Sequence, residues 1–113
     1  MSVYVDPPGS APGQLGRVRF VSHLFADNVA ELVRFGGAIG LRREWLQGPR
    51  PAYPLERRLP HFDVTAGKRA QAVASGAIEL SRQDAVEIWQ RLKVTNEEFR
   101  ASFCAQKGGD PCP

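Results

Sequence analysis

Five ionisable residues, Asp6, His23, Asp27, His61 and Asp63, are those whose types could do chemistry in this chain, and both of its histidines are among them. Imidazole suits zinc, iron or manganese, and carboxylate suits magnesium or manganese. His and Asp side chains converging from different strands can therefore hold a divalent ion, which lowers the pKa of its bound water and hydrolyses an ester. Without a metal, the same groups can act as general acid and base. On this reading His23, His61 and Asp63 are the catalytic candidates, with Asp6 and Asp27 as further metal ligands. The motif content is slight: there is no H-E-x-x-H, and His61-Phe62-Asp63 is a pattern that chance produces often. The plainer alternative is that Asp27 caps the helix starting near Asn28, His23 hydrogen-bonds a loop carbonyl, and Asp63 holds the turn before Thr65.

A second constellation is Thr65-Ala66-Gly67-Lys68-Arg69, which puts two cations in the first turn of a predicted helix. Cations there oppose the helix dipole. Free backbone N–H groups, a hydroxyl and two positive charges would together cradle an anion. Arg82 repeats the theme after Ser81. Arg17 and Arg19, on the basic face of a predicted strand, and the aromatic rings of Tyr4 and Trp45 complete a candidate ligand site, since aromatics beside arginine can stack bases. The alternative is that Lys68 and Arg69 simply reach water or a nearby carboxylate, and that Trp45 packs in the core. Gly36-Gly37-Ala38-Ile39-Gly40 closes a helix instead of opening one, so its glycines serve close packing rather than phosphate binding. Trp89 falls on a helical stripe and is assigned to the core.

These residues need elements to hold them. Ser2 to Asp6 alternates as a short strand, with Val3 and Val5 on one face and Tyr4 and Asp6 on the other. Pro7 to Gly16 carries three prolines and three glycines and is predicted to be a loop. Arg17 to Leu24 alternates again, with Val18, Phe20, Ser22 and Leu24 facing the core. Val29, Leu32, Val33 and Gly36 give the helical spacing of a segment from Asn28 to Ile39, opened by Asn28 with Glu31 and stopped by Gly40. Gln47 to Pro60 holds four of the nine prolines and has no period. His61 to Val64 is a candidate strand with His61 and Asp63 on one face. Thr65 caps a helix to about Ser75 with Ala70, Val73 and Ala74 inside, stopped by Gly76. Ile78 to Leu80 is a short strand. Ser81 caps a helix with Ala85, Ile88, Trp89 and Leu92 on its buried stripe. Thr95 and Glu98 suggest a last helix with Phe99 and Phe103 on its apolar edge.

That order predicts a small α/β fold: one domain over residues 1–107, a mixed sheet of about four strands, three to four helices and a flexible tail over 108–113. At 113 residues the chain can bury one core and not two. Hydrophobic residues make up 42% and charged residues 24%, as in ordinary globular domains, and no apolar run reaches the length of a membrane span. Cys104 and Cys112 are too few for a disulfide-dense scaffold, and with no export signal at the start a cytoplasmic location is expected. The net charge of +3 is low for nucleic-acid binding, although the stretch from Arg42 to Arg58, with five arginines and two glutamates, supplies a local positive field.

Several short motifs in order carry a family resemblance: Val3-Tyr4-Val5-Asp6, Ser22-His23-Leu24 with Ala26-Asp27, Glu31-Leu32, Gly40-Leu41, Trp45-Leu46-Gln47, His61-Phe62-Asp63-Val64, Lys68-Arg69 and Gly76-Ala77. Over roughly residues 2–81 the chain resembles the uncharacterised bacterial and phage family called domain of unknown function 4031. The resemblance implies a cytosolic protein, often carried by phage, and no established activity. The family often has a second acidic residue after the one matching Asp6, where this chain has Pro7. From the residues themselves, two functions are expected. One is binding of a phosphate-bearing small molecule, a nucleotide or nucleotide-derived signal, by sequestration. The alternative is a metal-dependent hydrolase, phosphoesterase or nuclease-like, built on the His/Asp cluster. A divalent metal is the cofactor implied by the second, and a homo-oligomer is possible in either.

Overall fold

The structure is a computed structural model and describes residues 2–12, 18–48 and 57–95. Among the described residues, seven strands and three α-helices follow the order β1 (Val3–Val5), β2 (Gly9–Pro12), β3 (Val18–Ala26), α1 (Val29–Ala38), β4 (Arg57–Arg58), β5 (Phe62–Val64), α2 (Ala66–Ala74), β6 (Ile78–Glu79), α3 (Arg82–Leu92) and β7 (Val94–Thr95), with a 3-10 turn at Arg43–Trp45. No helix among the described residues is long and apolar enough to cross a membrane.

β3 is the spine. It pairs antiparallel with β1 (Val5 opposite Leu24), with β2 (Gly9 opposite Val21) and, on its other side, with β5 (His23 opposite Asp63). β1 pairs in parallel with β6, so the five-stranded sheet is mixed, and β4 with β7 forms a separate two-stranded ribbon. The fold is thus the expected small α/β domain. The segment predicted as a loop from Pro7 is in part a strand. Gly9–Pro12 ends the sheet, where a proline's missing N–H can face away from the ladder. The registers of β1 and β2 against β3 differ by one residue, so the two act as one partner strand interrupted at Asp6–Pro8. Such an interruption re-aims side chains, and here it sits at Asp6.

The alternation of β3 divides two packing layers. Leu24 and Ala26 face α1 and α2 in a cluster that includes Val3, Val5, Leu32, Phe62, Val64 and Ala72. Phe25 faces the other way and packs with Leu59, Ala85, Ile88, Trp89 and Leu92 of the α3 side. Fully burying one such side chain contributes about 1.5–3 kcal/mol. His23 and Asp63 share the parity of Phe25, so the sheet turns them toward α3.

Local signals worked where chemistry dictates geometry. The Asn28, Thr65 and Ser81 side chains accept N–H groups of Glu31, Lys68 and Asp84, capping α1, α2 and α3. Gly40, at φ +86°, lets Leu41 N–H bond the Gly36 carbonyl at 2.8 Å and bury its side chain. A Cβ on Gly36 would stand 2.8 Å from Phe62 Cε2, so α1 approaches β5 only because Gly36 has none. One detail differs from expectation. Ala70 and Ala74 are exposed, and the buried residue of α2 is Ala72; alanines at 66, 70, 72 and 74 mark no unique stripe. Thr95 is the second residue of β7, and the helix expected after it lies outside the described residues. Glu98, Phe99, Phe103, both cysteines and the tail lie outside the described residues, as does most of the proline-rich segment.

Candidate functional site

The strand register brings the two imidazoles together. His23 lies opposite Asp63, and His61 precedes β5 by one residue, on the same face as Asp63. His61 exchanges both backbone hydrogen bonds with Gln47 at 2.9 Å, which fixes the chain just before β5. The imidazole centroids are 5.2 Å apart and edge-on. Trp89 of α3 covers both rings, with centroids 5.1 Å from His23 and 5.4 Å from His61. Among the described residues, His23, His61 and Asp63 form the one group of metal-ligating side chains with donor atoms all within 4.8 Å of each other.

Each ring is held by its other nitrogen. His61 Nδ1 lies 2.8 Å from the Leu59 carbonyl oxygen, which can only accept, so Nδ1 donates and neutral His61 carries its lone pair on Nε2. His23 Nδ1 lies 2.7 Å from Asp6 Oδ2, while Asp6 Oδ1 accepts the His23 backbone N–H at 2.6 Å. That assigns the same tautomer and turns His23 Nε2 toward Asp63. Asp63 is oriented in turn by Gln47, whose side-chain amide donates to Oδ2 at 2.7 Å. Metal-binding histidines are held in this way, the second nitrogen engaged by a carboxylate or carbonyl.

The distances between donors are informative. Asp63 Oδ1 is 3.7 Å from His23 Nε2 and 3.5 Å from His61 Nε2, too long for hydrogen bonds. Zinc bonds of about 2.0–2.1 Å in a tetrahedron place ligand atoms ~3.3–3.4 Å apart. Neutral His61 would otherwise point a lone pair at a carboxylate oxygen, an arrangement that a cation between them relieves. His61 is almost wholly buried, whereas the Asp63 side chain is 40% exposed, so a ligand held here keeps a solvent-facing side.

The two histidines are pushed in opposite directions. The hydrogen bond to Asp6, helped by the charges of Asp6 and Asp63, raises the His23 pKa against the effect of burial. Burial lowers that of His61, and the positive charges of His23 and Arg58 add to the effect. A proton on the pair therefore resides on His23, and His61 stays neutral.

The other sequence candidates are distributed differently. Asp6 supports His23 instead of joining the donor cluster. Asp27 accepts the Ser2 N–H and the Tyr4 hydroxyl, both at 2.8 Å, and stands apart from the cluster. Those bonds hold its pKa below the usual range, and burial with the Asp27 bond raises that of Tyr4. Lys68 Nζ donates to the Ile39 carbonyl at 2.6 Å, and so caps the end of α1 where a cation is favoured. Arg69 bonds the Asp6 carbonyl at 3.2 Å and Glu79 at 3.0 Å. The cations expected to cradle an anion at the start of α2 are thus engaged elsewhere, and the Thr65 hydroxyl caps Lys68 N–H. Trp45 is 52% exposed in the 3-10 turn rather than in the core. Arg19 is opposite Ala11 on β3, while its side chain and all of Arg17 lie outside the described residues.

Trp89, Gln47 and the Leu59 carbonyl were not identified as site groups from sequence. Trp89 carried a helical-stripe signal that reads as core, and nothing in the sequence distinguishes a stripe that packs on imidazoles from one that packs on leucines. Beside His23 opens a cleft of about 260 Å³, bounded by Asp6 and Pro7 on one side and by α3 on the other.

Compared with known proteins, residues 3–92 match a family described as protein of unknown function (DUF4031). No curated protein and no solved structure matches the chain.

Proposed function

The chain belongs to the DUF4031 family, and from that premise we propose that it is a metal-dependent hydrolase of phosphate esters, with His23 Nε2, His61 Nε2 and an Asp63 carboxylate oxygen as the ligand set. The observation that carries the reading is the convergence of three donor atoms from β3 and the β5 segment, all within 4.8 Å and with Asp63 3.5 and 3.7 Å from the two imidazoles, while both remaining imidazole nitrogens are engaged. Two imidazoles and one carboxylate suit zinc or manganese and leave coordination positions open. A divalent ion there would supply Lewis acidity and an acidified water. The chain's own residues do the rest. Asp6 and the Leu59 carbonyl fix the imidazole tautomers, Gln47 orients Asp63, and Trp89 keeps water from the shared face of the rings. The reaction adds one water across the ester: its oxygen joins phosphorus, the phosphorus–oxygen bond to the leaving group breaks, and a proton ends on the departing oxygen. The cleft beside His23 is lined by Arg82 and Lys93 together with Asp6, whose carboxylate is already engaged by His23, and this charge balance supports phosphate.

Calorimetric titration with Zn2+ and Mn2+, followed by hydrolysis assays on phosphate mono- and diesters, tests this function. Stoichiometric binding that His61→Ala abolishes, with metal-dependent turnover, is the expected result. Binding unaffected by His61→Ala, or no turnover with any ester, would contradict it.

A further inference from the structure

We infer that the cleft along α3 is the subsite for the organic part of the ester, and that it selects a flat apolar group such as an aryl or nucleobase ring. The inference rests on the reading of the His23 cluster as a phosphate-ester centre. Arg82, Ala85, Val86, Trp89, Gln90 and Lys93 recur at the spacing of one helical face, and that face forms a wall of the cleft. The middle of this wall is apolar, with cations at its two ends. Val86 is 55% exposed there, one turn from Arg82, although the nearby core leaves Ala85 buried. An exposed branched aliphatic beside an indole, flanked by polar ends, is a surface suited to a ring.

The cleft and the metal-ligating cluster meet at His23. Of the three cluster residues, His23 lines the cleft, and its Nε2 lies 3.7 Å from Asp63 Oδ1. Trp89 belongs to both, since it lines the cleft and lies against both imidazoles. A phosphate held at the cluster would place its ester substituent along Trp89 and Val86, with Arg82 at the exposed start of α3 for any further negative charge. Size limits the choice: about 260 Å³ falls just below the range of 300–1,000 Å³ usual for small-molecule pockets, which suits a single ring system.

The test uses the full chain and two non-hydrolysable probes, phenylphosphonate and methylphosphonate, titrated calorimetrically with and without Zn2+. The parent is expected to bind phenylphosphonate at least tenfold more tightly. Val86→Asn is expected to reduce that preference to threefold or less, Val86→Leu to retain it, and neither to change Zn2+ affinity. Because Val86 is largely exposed, both variants should fold. Equal affinity for the two probes, binding of neither, or a preference that survives Val86→Asn would overturn the inference. If Zn2+ fails to bind while the phenyl preference persists and falls in Val86→Asn, the subsite stands and the metal reading fails.

Discussion

Replacing Asp6 by Asn should weaken metal binding at a position that touches no metal. The two carboxylate oxygens of Asp6 accept the Nδ1–H and the backbone N–H of His23, at 2.7 and 2.6 Å. Asparagine keeps one oxygen for the backbone N–H, the bond that ties the chain at Asp6 to β3. Its amide NH2 then faces Nδ1, which must accept instead of donate. The proton moves to Nε2, and the nitrogen that should ligate has no lone pair. Restoring the ligating form means breaking that bond or leaving a donor unpaired, and losses of supporting partners at metal sites typically reduce affinity 10–100-fold, about 1.4–2.7 kcal/mol. Calorimetric Zn2+ titration at neutral pH, on the parent, Asp6→Asn and Asp27→Asn, measures this. Asp27 serves as the control, because its carboxylate engages Ser2 and Tyr4 and stands outside the donor cluster. The expected order is a loss of at least tenfold for Asp6→Asn and no change for Asp27→Asn. Zn2+ affinity of Asp6→Asn within twofold of the parent, in a variant that retains its thermal stability, would refute the tautomer argument.

Other outcomes follow from the same geometry. Protons displaced by Zn2+ should come from His23, whose pKa is raised, up to a higher pH than from His61, whose pKa is lowered; calorimetry in buffers of differing ionisation enthalpy, repeated across pH on the parent and His23→Ala, follows the release. In the metal-free protein, the His23 contribution to stability is full below the unfolded value near 6.5 and is lost as pH rises through its raised folded value. The His61 contribution has the other sign: it is full above 6.5 and is lost as pH falls through its lowered value. His61→Ala should therefore flatten the acid side of a urea-stability profile, and His23→Ala the alkaline side. Gly36→Ala should destabilise the fold by about 1–3 kcal/mol in urea, since the new methyl meets Phe62 at 2.8 Å. Lys68→Met should lower stability by about 1 kcal/mol through the lost bond to the Ile39 carbonyl, with no effect on phosphonate binding.

What the sequence disclosed is what local chemistry determines. Caps at Asn28, Thr65 and Ser81 and stops at Gly40 and Gly76 are set by side-chain oxygens and positive φ, so they were legible within a few residues. His23, His61 and Asp63 were legible as a group because histidines are scarce here, strand parity puts His61 beside Asp63, and no other function claims them. The register that makes His23 face Asp63 was not, because pairing between β3 and β5 depends on contacts about forty residues apart. Nor was the strand at Gly9–Pro12: proline content argues against a strand, and only its place at the sheet edge removes the objection. Lys68 and Arg69 show a further limit. Two cations at a helix start suggest an anion until tertiary packing brings the end of α1 and Glu79 within reach. Trp89 makes the same point from the apolar side, since its helical spacing is satisfied equally by core packing and by the imidazoles it covers.

The central claim is that two imidazoles and one carboxylate share an ion. Crystals grown with Zn2+ or Mn2+ and measured at the metal's absorption edge test it most directly. The account predicts an anomalous peak bonded to His23 Nε2, His61 Nε2 and an Asp63 oxygen, at about 2.0–2.2 Å for zinc. A fully loaded protein whose peak lies elsewhere, or crystals with no peak at this site, would contradict it.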